Sequence, residues 1–87
     1  MSGADESLLK FPADLAVKVF GRNDADFRDA VTKIVEAHYG KAYTVAEQPS
    51  KQASYVSLTV TVRAESRAQA DALYQALVAD ERVLMAL

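Results

Sequence analysis

Apolar and polar residues alternate in two stretches of the chain, and this pattern predicts two β-strands with one buried face each. Residues 15–20 place Leu15, Val17 and Val19 on one side, and Gly21 is expected to end this strand. Residues 55–63 alternate without interruption. The aliphatic side of that longer strand consists of Val56, Leu58, Val60 and Val62. We expect both strands at the centre of a sheet.

Apolar residues at helical spacing predict two amphipathic helices. Asn23 or Asp24 is expected to cap the start of the first helix, and Gly40 to end it. Its apolar face consists of Phe27, Ala30, Val31, Ile34, Val35 and His38. Ser66 and Gln69 have the spacing of a capping box at the start of the second helix. The core-facing residues of the second helix are expected to be Ala70, Leu73, Ala76, Leu77 and Tyr74.

The remaining segments complete the order β, α, β, β, α, β. Residues 42–47 predict a weaker strand, residues 48–54 a polar connection, and residues 83–87 a short strand that is apolar on both faces. Two amphipathic helices need a shared sheet face, and parallel crossovers are right-handed. The predicted fold is therefore an α+β, ferredoxin-like βαββαβ two-layer sandwich, with a four-stranded antiparallel sheet and both helices on one face. Residues 1–10 are expected to form a flexible arm and residues 11–87 a single domain.

Composition removes several classes of function. The 87 residues are 51% hydrophobic and 25% charged, as in an ordinary globular domain. A net charge of −2 gives no general attraction to nucleic acid or to an anionic membrane. The chain has no cysteine, which excludes disulfides and thiolate metal sites. With no signal peptide and no long apolar run, we expect a soluble cytoplasmic protein.

A set of short matches extends over nearly everything after Leu8. It consists of Phe11-Pro12, Lys18-Val19-Phe20-Gly21, His38, Ser50-Lys51, Tyr55, Ser57, Leu73-Tyr74, Leu77, Val83, Met85 and Leu87. In this order and spacing the chain resembles the YbeD-like family of small uncharacterised bacterial proteins. The resemblance implies a ferredoxin-like fold, similar in architecture to ACT domains that bind amino acids, and it implies no activity.

No set of residues with the pattern of a catalytic or metal site is visible. His38 is the only histidine and has no cysteine or second histidine to share a metal. Residues 21–28 join a strand to a helix start, a place where phosphate can bind, but Asp24 and Asp26 would repel an anion. No histidine is placed to activate a serine. We therefore predict that the protein is not an enzyme and uses no cofactor.

The sheet face opposite the helices is expected to be open. Its side chains should be Lys18, Phe20, Tyr55, Ser57, Thr59, Thr61 and Arg63. RNA-binding sheets of this topology use aromatic residues for base stacking, and here only Phe20 and Tyr55 qualify, so we expect no nucleic acid partner. The last strand has no charge, proline or bulge in its sequence to protect its edge. Either the N-terminal arm covers Leu84 and Ala86, or another chain packs there.

These patterns predict a non-enzymatic binding or regulatory module that acts through protein contacts. The partner is another protein or a second copy, which would form a homodimer through the sheet face or the C-terminal edge strand. The alternative is an ACT-like sensor of a small metabolite, an amino acid, at a subunit interface, contacted by the turn at residues 20–23 and the hairpin at residues 50–55. The candidate binding residues are Lys18, Phe20, Gly21, Ser50, Lys51, Tyr55, Ser57, Arg63, Leu84 and Met85.

Overall fold

One antiparallel sheet and two helices make up the computed structural model, which describes residues 10–87. The predicted order of elements and the ferredoxin-like fold are confirmed. The predicted arm at residues 1–10 lies outside the described residues except for Lys10. The elements are β1 (Ala13–Arg22), α1 (Ala25–Tyr39), β2 (Tyr43–Pro49), β3 (Tyr55–Ala64), α2 (Arg67–Ala79) and β4 (Val83–Ala86).

The two strands with the clearest alternation lie at the centre of the sheet, as predicted. The strand order is β2-β3-β1-β4, and every neighbouring pair is antiparallel. β1 and β3 pair over their full length, from Ala13 opposite Ala64 to Arg22 opposite Tyr55. A slip of one residue would turn every aliphatic side chain of a strand to the other face, so the buried face fixes this register.

The core lies between the sheet and the two helices. Val56, Leu58, Val60 and Val62 of β3 are at most 2% exposed, which confirms the predicted buried face. Leu15 and Val17 of β1 are partly buried against the same cluster. The buried core cluster consists of Val19, Phe27, Val31, Val35, Val56, Leu58, Val60, Val62, Leu73, Leu77, Val83 and Ala86.

Strand boundaries differ from the prediction by one or two residues, most in β1 and β2. Gly21 does not end β1 but lies inside it, opposite Val56 on one side and Val83 on the other. Its hydrogen side chain is needed because a Cβ there would lie 2.3 Å from ring carbons of Phe27. β2 extends to Pro49 rather than ending at residue 47, which an edge strand tolerates because a proline there need not donate to the ladder.

Side-chain caps start both helices close to the predicted places. Asp24 is the N-cap of α1, and its Oδ1 accepts from the backbone N–H three residues on at 2.8 Å. Ser66 caps α2 by accepting from the N–H of Gln69 at 3.2 Å. The Gln69 side chain accepts from the N–H of Glu65 at 2.7 Å, one residue earlier than a capping box requires. α1 ends at Gly40, whose φ of 63° favours glycine.

Gly21→Ala is expected to lower the free energy of unfolding by about 1–3 kcal/mol, because its Cβ would overlap the Phe27 ring. Phe27 is 1% exposed and has little room to move aside. Urea titration measures the loss. In the double variant with Phe27→Leu the overlap is relieved, so the combined loss should be smaller than the sum of the two single losses. An unchanged urea midpoint for Gly21→Ala would contradict this packing.

Candidate functional site

The open face of the sheet is the side that neither helix covers. On it Lys18 lies opposite Thr59, and Phe20 lies opposite Ser57. Tyr55 follows diagonally, two positions from Ser57 on the same strand. The structure therefore brings together four of the sequence-predicted binding residues, namely Lys18, Phe20, Tyr55 and Ser57. The hydroxyl of Ser57 donates to the carbonyl of Gln48 at 3.4 Å.

β4 adds two apolar side chains to this part of the face. Met85 lies opposite Phe20, and the backbone of Leu87 exchanges hydrogen bonds of 2.8 and 3.1 Å with Lys18. Tyr55, Met85 and Leu87 are 47%, 53% and 66% exposed, while Phe20 is half-buried. We call Phe20, Tyr55, Met85 and Leu87 the apolar row. Contiguous apolar surface of this kind commonly marks a site of contact with another molecule.

The charged residues of the open face differ in their pairing. Arg63 is remote from the apolar row and donates to Asp14 at 3.2 Å, with both side chains largely exposed. Lys18 lies beside the row and makes no ion pair within residues 10–87. Arg22 is exposed and borders a groove of about 240 Å³ that also contains Asp24. Lys18, beside Leu87, and Arg22, opposite Tyr55, are therefore the two cations that border the row.

Leu84 does not belong to the apolar row. Phe20 lies opposite Met85 but Gly21 lies opposite Val83, so Leu84 is the extra residue of a β-bulge. It is 62% exposed and lines the groove that Arg22 borders. The expectation that the last strand lacks a bulge is therefore wrong, because a bulge depends on the register with β1 and not on residue type.

The outer edge of β4 is protected in a second way. The Tyr74 hydroxyl donates to the carbonyl oxygen of Ala86 at 2.7 Å. Tyr74 was expected to face the core, but it is 42% exposed and its hydroxyl lies at the strand edge instead. A bulge and a capped carbonyl both hinder the addition of another strand. The edge of β4 is thus less open to strand addition than its sequence indicates.

The turn at residues 20–23 and the hairpin at residues 50–55, which are the predicted ligand contacts of a metabolite sensor, lie next to each other. Asn23 donates from its backbone to Ser54 at 3.0 Å and from its side chain to the carbonyl of Ala53 at 2.9 Å. Within the hairpin, the Ser50 N–H donates to the Tyr55 carbonyl at 2.8 Å. In return, the Tyr55 N–H donates to the Ser50 hydroxyl oxygen at 3.3 Å. Lys51 is exposed at the tip. These polar groups bond to each other, so a ligand would have to replace existing bonds.

Arg28 connects this region to the sheet edge. Its guanidinium donates to both carboxylate oxygens of Glu47 and to the Asn23 side chain. The bond from Arg28 is the main reason that the pKa of Glu47 is lowered, and the same bond raises the pKa of Arg28. A second cluster joins α1 to β2, where the Tyr43 hydroxyl donates to Glu36 at 2.6 Å and lowers the pKa of that carboxyl.

Sequence reasoning missed the Arg28 cluster and Leu87. The residues of the cluster lie on separate elements, and no local spacing connects them. Leu87 shares the two-residue period of Met85, but its place beside Lys18 follows only from the pairing of β4 with β1. Gly21 lies beneath the Phe27 ring and has a packing role rather than a surface one.

Residues 10–87 contain neither a cluster of metal ligands nor a membrane-spanning helix. Within residues 10–87 no group of three or more histidine, cysteine, aspartate or glutamate residues is arranged to hold a metal ion. His38 lies in the last turn of α1 and is half-buried. Neither helix in the described part of the chain has the length and apolar character needed to cross a bilayer.

These features define a small ferredoxin-like α+β protein with an exposed apolar row on its open sheet face. The family model described as protein of unknown function (DUF493) matches residues 6–87, and the chain belongs to that family. This confirms the YbeD-like resemblance. A "UPF0250 protein" of Paraburkholderia phytofirmans is 37% identical over 89 residues, covering 100% of both chains. Another, from Ralstonia nicotianae, is 39% identical over 84 residues, covering 94% of this chain and 87% of the relative.

A solved structure supports the fold. The solution structure of Protein HP0495 from H. pylori aligns with a TM-score of 0.77 at 15% sequence identity, covering 91% of this chain and 85% of that one. At this level of identity the likeness shows the architecture and carries no information about the site. The similar proteins from Paraburkholderia and Ralstonia place the family in bacteria.

Glu47→Gln is expected to make stability less dependent on pH in acid. Because the pKa of Glu47 is lower in the folded chain than its ordinary 4.5, its contribution is present above that value and lost as pH falls through the folded value. Urea midpoints between about pH 5 and pH 3 should fall less steeply than in the parent. Glu81→Gln is the control, since Glu81 is exposed and makes no hydrogen bond within residues 10–87. Equal slopes for Glu47→Gln and the parent would contradict this assignment.

Proposed function

We propose that this protein is a non-enzymatic binding or regulatory module that acts through protein contacts at its open sheet face. The observation that supports this best is the apolar row, whose three most accessible members are 47–66% exposed. Burial of such apolar side chains by a partner is favourable, because it removes apolar surface from water. Nothing in the fold requires them there, because the buried core lies on the opposite face.

The open face also has the rigidity that a binding surface needs. Its residues project from β1 and β3, which pair over ten residues, and from β4, which pairs with β1. A surface held by a hydrogen-bonded sheet loses little conformational entropy when it binds. The polar surroundings, including Ser57, Thr59 and Lys18, form the rim expected around an apolar contact. We further propose that the protein acts in the cytoplasm, since it contains no cysteine.

The second candidate function is an ACT-like sensor of an amino acid at a subunit interface. One observation favours it: the turn that contains Asn23 and the hairpin that contains Ser54 are in direct contact. A ligand that binds only the folded chain raises the free energy of unfolding, by about 2.7 kcal/mol at one hundred times its Kd. A panel of the standard amino acids in a thermal-shift assay therefore separates the candidates. A reproducible upshift would favour the sensor over the protein-contact module.

A photoreactive phenylalanine analogue at position 85 is expected to crosslink a defined partner in living host cells. The same analogue at Thr44 is the matched control, because Thr44 is exposed on the open face but lies on β2, away from the apolar row. Gel separation and mass spectrometry identify the product. We expect a discrete adduct at position 85 that is absent at position 44. No adduct at either position, or the same set at both, would contradict the proposal.

Mass measurement in solution separates a second copy from a different partner. A homodimer through the open face would double the mass of the purified chain, and Met85→Glu would return it to the monomer mass. A monomer that nevertheless yields the adduct at position 85 points to a different protein. Circular dichroism of Met85→Glu verifies that the fold survives, as expected for a side chain that is 53% exposed.

A further inference from the structure

The two faces of the molecule carry charge of opposite sign. On the open face three cations, Lys18, Arg22 and Arg63, stand against one carboxylate, Asp14. The helices and the loops at their ends carry eight acidic side chains and five cations. The acidic residues are Asp24, Asp26, Asp29, Glu36, Glu65, Asp71, Asp80 and Glu81, and the cations are Arg28, Lys33, Lys41, Arg67 and Arg82. A chain with a net charge of −2 therefore has a basic open face, on which Lys18 and Arg22 border the apolar row.

Two cations border the row and make no ion pair with a side chain of residues 10–87, namely Lys18 beside Leu87 and Arg22 opposite Tyr55. Arg63 already pairs with Asp14 at 3.2 Å. Most cations of the helical side have partners of their own, such as Glu47 for Arg28 and Asp80 for Arg82, the latter at 3.8 Å. Lys18 makes no such pair within residues 10–87 and lies on the open face next to Leu87. An incoming carboxylate would give Lys18 a charge partner without breaking an existing pair.

We propose that the open face binds a protein segment that is both acidic and apolar. Its apolar side chain would pack on Phe20 and Met85, and a carboxylate would pair with Lys18. A second carboxylate about 13 Å away, four residues along an extended strand, would reach Arg22. This inference rests on the proposed function and adds the chemistry of the partner.

The same charges argue against the other occupants of this face. A second copy that docked by the same face would bring two basic surfaces together around Lys18, and like charges in apposition oppose binding. Single-stranded RNA needs aromatic side chains for stacking, but on the open face of residues 10–87 Tyr55 is the only exposed aromatic residue, since Phe20 is half-buried. Met85 and Leu87 are exposed and aliphatic, so they can pack against an apolar side chain of another protein.

A random twelve-residue peptide library displayed on phage and selected on the immobilised full chain tests the inference. We expect enriched peptides to combine aspartate or glutamate with a large apolar residue. Their affinity, measured with labelled synthetic copies by fluorescence anisotropy, should fall about tenfold with Lys18→Glu, corresponding to about 1.4 kcal/mol. Lys33→Glu is the matched control, because Lys33 is exposed on α1 and makes no ion pair within residues 10–87.

Charge exchange sharpens the test. Copies of the enriched peptides with lysine in place of each acidic residue should bind Lys18→Glu better than the parent chain. Affinity of the original peptides for the parent should fall as salt rises, because salt screens exposed charges. Thermal unfolding of both charge variants verifies that they are folded.

Several results would overturn the inference. These are enriched peptides with no acidic residues, equal affinity of Lys18→Glu and the parent, or tight binding only to a mixed-sequence single-stranded RNA. If such a result came with a specific adduct from the analogue at position 85 in cells, the proposed acidic and apolar character of the partner would be wrong. The proposed protein-contact function would still stand. If the adduct were also missing, both would be wrong.

Discussion

The pairing of β1 with β3 is the interaction on which the rest of the structure depends. It extends over ten residues and sets the aliphatic side chains of both strands on one face. α1 and α2 can bury their apolar sides only against that face, so both lie on the same side of the sheet. The reverse side is left open as a direct consequence. Gly21 belongs to this arrangement, since only a glycine leaves room for Phe27 in the core.

The position of β4 gives the open face its character. Its register with β1 places Met85 opposite Phe20 and Leu87 beside Lys18. The bulge at Leu84 separates these residues from the groove at the other end of the strand, and Tyr74 caps the outer edge. The surface that results combines apolar area with an unpaired cation. Acidic residues are concentrated on the helical side, which makes the two faces electrostatically different.

Most of the fold was predictable from the sequence because it follows from local periodicity. The alternation in β3, the helical spacing around Phe27 and the caps at Asp24 and Ser66 each depend on residues close together in the chain. These signals also fixed the order of elements, and the short list of topologies compatible with that order did the rest. The placement of Lys18, Phe20, Tyr55 and Ser57 on one face followed in the same way.

The parts that were not predictable depend on contacts between distant elements. The role of Gly21 is set by a ring on α1, and the bulge at Leu84 by the pairing with β1. The cluster of Arg28, Glu47 and Asn23 joins a helix, a strand and a turn, so no spacing in the sequence reveals it. Family membership adds the fold and no activity. The function of the chain therefore has to be inferred from its surface chemistry.

Hydroxyl-radical footprinting tests the central claim most directly, because it reports the solvent exposure of individual side chains. The purified chain would be compared with the same chain at native abundance in a fresh extract of its host. Oxidation of Met85 and Tyr55 is expected to drop in the extract, while oxidation of Tyr74, which is exposed on α2, stays the same. Equal oxidation of Met85 in both samples would contradict the claim that the open face contacts a partner.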